Sequence, residues 1–166
     1  MEKEITEVYC GNGRGKTTLA IGQALRASSQ GKSVIIIQFL KGNERRELDF
    51  LEELDQLDIK IFRFEKMETC YDQLNEEEQV EEERNILNGL NFARKVIATQ
   101  ECDFLVLDEI LGLLDKHIAT VDMVVGLLKQ KDESMHLILT GNRVDPGILD
   151  YVDSVTTITT LGREQN

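Results

Sequence analysis

Gly11-Asn12-Gly13-Arg14-Gly15-Lys16-Thr17-Thr18 lies between an apolar run at residues 5–9 and a stretch of helical spacing at residues 16–30. Strand, then glycines, then helix is the context that a phosphate-binding loop requires. Alternating glycines let the backbone curl so that successive N–H groups point inward at phosphate oxygens, and the following helix adds the positive end of its dipole. Lys16 then brings a point charge to the terminal phosphates, and Thr17 a hydroxyl for Mg²⁺. The loop departs in one place from the general pattern G-x-x-x-x-G-K-[ST]: position 10, where the leading glycine is expected, is Cys10, and glycine follows one residue later. The spacing predicts a loop that wraps its phosphates differently from that of an ordinary ATPase or GTPase. Cys10 itself reads as a small buried filler.

Further along the chain, Phe104-Leu105-Val106-Leu107-Asp108-Glu109 is four apolar residues ending in two acids. Such a strand delivers carboxylates beside the loop from its carboxyl end. Asp108 is expected to hold a water of the Mg²⁺ shell, and Glu109 to reach the metal or polarise a nucleophile. On its own this motif is common; after a phosphate loop at this distance it is specific.

Apolar runs alternate with longer amphipathic stretches through the whole chain, the pattern of a parallel sheet covered by helices on both faces. Besides residues 5–9, strands are expected at 33–40, 59–64, 104–107, 136–140 and 154–161. The longest helix is expected at residues 75–100, with Val80, Leu87, Leu90, Ala93 and Ile97 on one face. Its acidic opening places a cap and negative charge where the helix dipole favours them, and the acids otherwise read as a solvated face. His117 and His136 are isolated and read as a surface residue and a strand-edge residue.

Length and composition bound the rest. A chain of 166 residues with 41% hydrophobic content forms a core of ordinary size and reads as one domain, residues 1–166. The net charge of −12 disfavours nucleic acid and anionic lipid as partners, while leaving room for one nucleotide held by backbone amides. Cys10, Cys70 and Cys102 are an odd number without C-x-x-C spacing, which argues against a disulfide framework or a zinc site. No apolar run reaches the roughly 18 residues of a spanning helix, and residues 1–5 lack an apolar leader. A cytoplasmic protein in a reducing compartment is expected. Pro146 is the one proline, and no linker or repeat divides the chain.

The loop, with Tyr9 and Cys10 before it, resembles that of the ATP:corrinoid adenosyltransferases, which attach adenosine to cobalt in the making of coenzyme B12. The resemblance continues through residues 20–26, Gln38-Phe39-Leu40-Lys41-Gly42, Val106-Leu107-Asp108-Glu109-Ile110, Leu139-Thr140-Gly141-Asn142-Arg143 and Ile148-Leu149-Asp150-Tyr151-Val152-Asp153. It implies a three-layer α/β fold like the RecA-type P-loop NTPases, often a homodimer, and an unusual reaction. In it a cobalt(I) corrinoid attacks the 5′ carbon of ATP and the whole triphosphate leaves. The resemblance further implies that Gly11, Asn12, Gly13, Arg14, Gly15, Lys16, Thr17 and Thr18 hold the triphosphate, with Lys16 neutralising it. Thr17, Asp108 and Glu109 surround Mg²⁺, and Lys16 and Glu109 are the groups nearest the chemistry. Arg14 stands where the family usually has lysine. Gln38 and Lys41 lie on the rim where such sheets bind ligands. The family's corrinoid segment follows the third strand; here it reads Phe64-Glu65-Lys66-Met67-Glu68-Thr69-Cys70-Tyr71, with Phe64 and Tyr71 as the available aromatics. A reduced flavoprotein is the family's usual electron donor.

Read without the resemblance, the same Lys16, Thr17, Asp108 and Glu109 also fit a P-loop NTPase or small-molecule kinase, in which Glu109 orients the attacking water or hydroxyl. A non-catalytic nucleotide-binding module is the third reading. The bond of ATP that breaks separates the three.

Overall fold

The β-branched run after the first helix becomes β2 (Val34–Gln38), buried along its whole length. Ile35 and Ile37 face one hydrophobic cluster, and Val34 and Ile36 face the other. Side chains alternate across a strand, so a strand covered on both faces must be apolar at every position. In this computed structural model, which describes residues 3–42 and 48–162, β2 lies inside a six-stranded sheet of order β3-β2-β4-β5-β1-β6, parallel throughout. The other strands are β1 (Thr6–Cys10), β3 (Ile59–Arg63), β4 (Phe104–Asp108), β5 (His136–Thr140) and β6 (Ser154–Thr157).

One face is covered by α1 (Lys16–Ser29), which packs Ala20, Ile21, Ala24 and Ala27 against Ile36, Val106 and Ile138. Three alanines in this stripe bring the helix close to the sheet. The opposite face carries α2 (Glu76–Thr99) and α4 (Val121–Gln130), whose Ile86, Leu90, Val124 and Leu127 meet Leu105, Leu107 and Leu137. Full burial of each large aliphatic side chain stabilises the fold by roughly 1.5–3 kcal/mol. Short helices α3 (Ile110–Asp115) and α5 (Pro146–Leu149) complete this layer. The result is the expected three-layer α/β architecture.

The six strands fall where the sequence places them, with ends shifted. β1 extends to Cys10, β4 includes Asp108, and β6 stops at Thr157 rather than 161. Helices α3, α4 and α5 had no sequence expectation. In α2 the predicted apolar face needs two corrections. Val80 is 55% exposed. Glu82, read as part of a solvated acidic face, is 1% exposed. The cap is as expected: the Asn75 side chain accepts from Glu78 N at 2.9 Å, and the Glu78 carboxylate accepts from Asn75 N at 3.0 Å.

Register fixes the site. Gln38 pairs with Asp108 across β2 and β4, and Tyr9 pairs with Thr140 across β1 and β5. The polar residues that end these strands therefore form one row along the carboxyl edge of the sheet, where α/β folds bind ligands.

Candidate active site

At the end of β1 the chain turns through Gly11 (φ 111°) and Gly15 (φ 100°) into α1. Gly15 occupies the N-cap, a left-handed position that glycine adopts without penalty. It offers no side-chain cap, so the first amides of α1 keep their hydrogen-bonding capacity for a ligand. Gly11 and Gly13 are constrained differently. A Cβ at Gly13 would lie 2.6 Å from Ile158 O, and one at Gly11 would run into the same carbonyl. Gly13 N donates to Ile158 O at 2.9 Å and Arg14 N to Thr160 Oγ1 at 2.9 Å. The front of the loop is thus braced by the segment after β6, and the amides left toward the cavity are those at the head of α1. Glycine at 11 and 13 answers to this neighbouring backbone, a reason the sequence reading did not contain.

Lys16 folds back over the loop, its Nζ donating to Gly11 O at 2.6 Å, Gly13 O at 3.2 Å and Asn142 Oδ1 at 3.2 Å. Asn142 also accepts Gly11 N at its carbonyl, at 2.8 Å. Asp108 is the centre of the polar row and is fully buried. Its Oδ1 accepts from Thr17 Oγ1 at 2.9 Å and Thr140 Oγ1 at 2.7 Å, and its Oδ2 accepts from Gln38 Nε2 at 3.1 Å. Lys41 Nζ stands 3.8 Å from the same oxygen. A buried carboxylate is tolerated when its lone pairs are filled in this way. Arg63 continues the row, its Nε donating to Gln38 Oε1 at 2.8 Å.

Glu109 follows with φ 65°, a left-handed conformation that non-glycine residues adopt seldom and that recurs at functional sites. Its N–H donates to Thr140 Oγ1 at 2.7 Å, which fixes the turn into α3. Burial pushes its carboxyl above the usual carboxylate range; Lys41 opposes the rise, neighbouring Asp108 adds to it, and Lys16 opposes it.

A cavity of about 620 Å³ opens in front of this row. Thr17, Thr18 and Ile21 form one side, Gln38, Lys41 and Arg63 the floor, and Glu68, Thr69, Cys70 and Gln73 the far wall. Of the residues singled out in the sequence, Thr17, Thr18, Gln38 and Lys41 line this cavity, and Asp108 lies behind them through its bonds to Thr17 and Gln38, with Glu109 next to it in the chain. Asn12 and Arg14 are exposed, Arg14 facing a second depression lined by Gly15, Thr18 and Gly22. Thr140, Asn142 and Arg63 are site residues the reading did not assign. Thr140 had a legible signal, a polar residue ending an apolar strand as Asp108 does; Arg63 and Asn142 had none.

The histidines lie elsewhere. His136 begins β5 at the opposite end of the sheet, stacked on Phe104 and bonded through Nε2 to Glu7 at 2.7 Å. His117 is exposed after α3. Cys10 is buried, with Sγ 3.6 Å from Thr157 Oγ1, as a filler should be.

Over residues 2–164 the sequence matches the family described as ATP:corrinoid adenosyltransferase BtuR/CobO/CobP. The corrinoid adenosyltransferase of Escherichia coli (strain K12) is 31% identical over 160 residues, 93% of this chain and 76% of that protein. Corrinoid adenosyltransferase CobA of Salmonella typhimurium is 28% identical over 158 residues, with the same coverage of 93% and 76%. Among solved structures, the KaiC-like protein PH0186 of Pyrococcus horikoshii aligns with a TM-score of 0.61 at 20% identity, over 93% of this chain and 71% of that one. That likeness concerns the fold and agrees with a RecA-like P-loop architecture. With a phosphate loop, an Asp-Glu strand end and a family match along nearly its whole length, the chain belongs to the ATP:corrinoid adenosyltransferases, a family of enzymes.

Proposed function

We propose that this chain transfers the 5′-deoxyadenosyl group of ATP to the cobalt(I) of a corrinoid substrate and releases intact triphosphate. Besides the family match, one observation carries the reading. A single cavity has the phosphate loop on one side and, on the other, the segment that corresponds to the family's corrinoid wall. Two substrates held in one cavity can be aligned for direct transfer. A bond forms between cobalt and C5′ as the C5′–O bond breaks, and the electron pair of the broken bond leaves on the triphosphate. The nucleophile belongs to a substrate, so the protein need supply no general base.

What the residues must do is orient and neutralise. The amides at the head of α1 and Lys16 meet the triphosphate, on which negative charge grows as it departs. To do so Lys16 exchanges its carbonyl partners for phosphate oxygens. Gln38 and Lys41, both tied to Asp108, shape the floor toward the ribose. Thr17, Asp108 and Glu109 offer oxygen donors of the kind Mg²⁺ takes. Among the described residues no group of three or more His, Cys, Asp or Glu could hold a metal alone, so phosphate and water would complete the shell. When bound, the ion adds positive charge beside the leaving group.

From the resemblance we also assign a homodimeric unit, a reduced flavoprotein as the source of the electron that makes cobalt(I), and a cytoplasmic setting. Among the described residues no helix is long and apolar enough to cross a membrane. The test is anaerobic: the protein, MgATP and a chemically reduced corrinoid should produce the visible spectrum of an adenosylated, light-sensitive corrinoid. No spectral conversion with any reduced corrinoid would overturn the proposal.

A further inference from the structure

The far wall of the cavity has almost no regular structure of its own. Between β3 and α2 the chain forms only a short 3-10 turn at Tyr71–Gln73. Two buried carboxylates hold it from behind. Glu82, one turn beyond the exposed start of α2, accepts Lys66 N at 2.8 Å, Met67 N at 2.7 Å and Asn85 Nδ2 at 2.9 Å. Glu65 is 4% exposed and accepts Leu40 N at 2.5 Å, across the gap between the segments that follow β3 and β2. Leu40 is held there at φ 61°.

From the front the same two segments are in close contact. Gly42 has φ 66°, and a Cβ there would lie 2.8 Å from Glu68 O and 3.0 Å from Thr69 O. Cys70 Sγ donates to Lys41 O at 3.8 Å. The segments after β2 and β3 therefore form one unit, and Leu40, Lys41, Glu68, Thr69 and Cys70 of that unit face the cavity.

Burying carboxylates is unfavourable unless each is well hydrogen-bonded. Glu82 fills both oxygens in this way, pairing amides that an irregular segment would otherwise leave unpaired, whereas Glu65 accepts Leu40 N on one oxygen and keeps Oε2 buried without a hydrogen-bond partner. The packing of α2 on the sheet is made by other residues, Ile86, Leu90 and Ala93. Among the described residues their hydrogen-bond partners fall within residues 40–85, away from the phosphate loop.

We propose that Glu65 and Glu82 are positioning residues for the corrinoid, a carboxylate clasp that fixes the backbone of the wall against which the second substrate is presented to the nucleotide. This rests on the adenosyl-transfer reading. It assigns a function to two acids of this chain whose bonds hold the wall directly and reach the floor residue Lys41 only through its neighbour Leu40.

The experiment measures KM for each substrate separately, with MgATP affinity followed by titration calorimetry. Glu82→Gln keeps the shape but gives up one acceptor oxygen, leaving a wall amide unpaired. The KM for the reduced corrinoid should rise about tenfold or more, as expected for one unsatisfied buried donor, while MgATP affinity stays within about twofold. Glu65→Leu, which leaves Leu40 N without its acceptor, should show the same split. Gly42→Ala, which displaces the wall from the front and leaves both acids in place, should reproduce it. If Glu82→Gln does not fold, judged by loss of a cooperative melt, the other two variants decide. Equal changes for both substrates, or no change for the corrinoid, would overturn the clasp while an active wild type leaves the adenosyl-transfer reading intact. A wild type that makes no adenosylcorrinoid would instead remove the reading on which the clasp rests.

Discussion

The two sides of the cavity are built in opposite ways. The phosphate side comes from eight consecutive residues, turned by Gly11 and Gly15 at positive φ and by the start of α1, with a brace from residues 158–160 across its front. The opposite wall, residues 64–73, takes its form from partners remote in sequence: Leu40 on one side and Glu82 on the other. The chemistry common to all phosphate loops is written contiguously because one anionic group must meet many amides of one segment. A wall for a large second substrate has no such requirement and can be supported from behind by any scaffold that satisfies its backbone.

The largest effect expected from this contrast is at Lys16. Lys16→Ala should lower kcat/KM by about 10²-fold or more, with loss of MgATP uptake in calorimetry, since a charge aimed at the leaving group is removed. Retained MgATP affinity in that variant would break the account of the loop. Asp108→Asn should lower kcat/KM by roughly 10-fold to 100-fold, because a single carboxylate organises Thr17, Thr140 and Gln38 and its charge-assisted bonds are the stronger kind. Gly13→Ala sharpens the comparison by asking what the loop glycines serve. Overpacking against Ile158 should destabilise the protein by about 1–3 kcal/mol in a denaturant titration. Unchanged stability there would mean that the brace from residues 158–160 is not needed by the fold.

Smaller effects belong to the wall and to the exposed end of α2. Burial pushes the Glu65 carboxyl above the ordinary carboxylate range. The folded state then keeps this proton to higher pH than the unfolded chain does. Its favourable contribution is full below the unfolded value and is lost as pH rises through the folded one. Glu65→Gln should therefore lose less melting temperature than the wild type between acid and neutral pH; an equal loss in both would contradict the assignment. Val80→Ala should change stability by less than about 0.5 kcal/mol, because Val80 is largely exposed.

Legibility followed the same division. Contiguous signals were readable: the loop, the Asp108-Glu109 strand end, and β2, whose unbroken apolar run can only be a strand covered on both faces. The capping box at Asn75 was readable because its partners are three residues apart. Glu82 was misread because, among the acids that open α2, nothing in the local pattern distinguishes the one that turns inward to meet Lys66 and Met67. Asn142 joins the site only through the β1–β5–β4 order of the sheet, a topological fact absent from any window of the chain, and the same order gives Thr140, legible only as a polar strand end, its partners. The reason for Gly11 and Gly13 was hidden likewise, in a segment about 145 residues away that passes against them.

Which bond of ATP breaks decides the central claim. Phosphorus NMR of a completed reaction with MgATP and a reduced corrinoid should show inorganic triphosphate accumulating in step with adenosylated corrinoid. Orthophosphate with ADP, or ATP left unconsumed beside the reduced corrinoid, would contradict it.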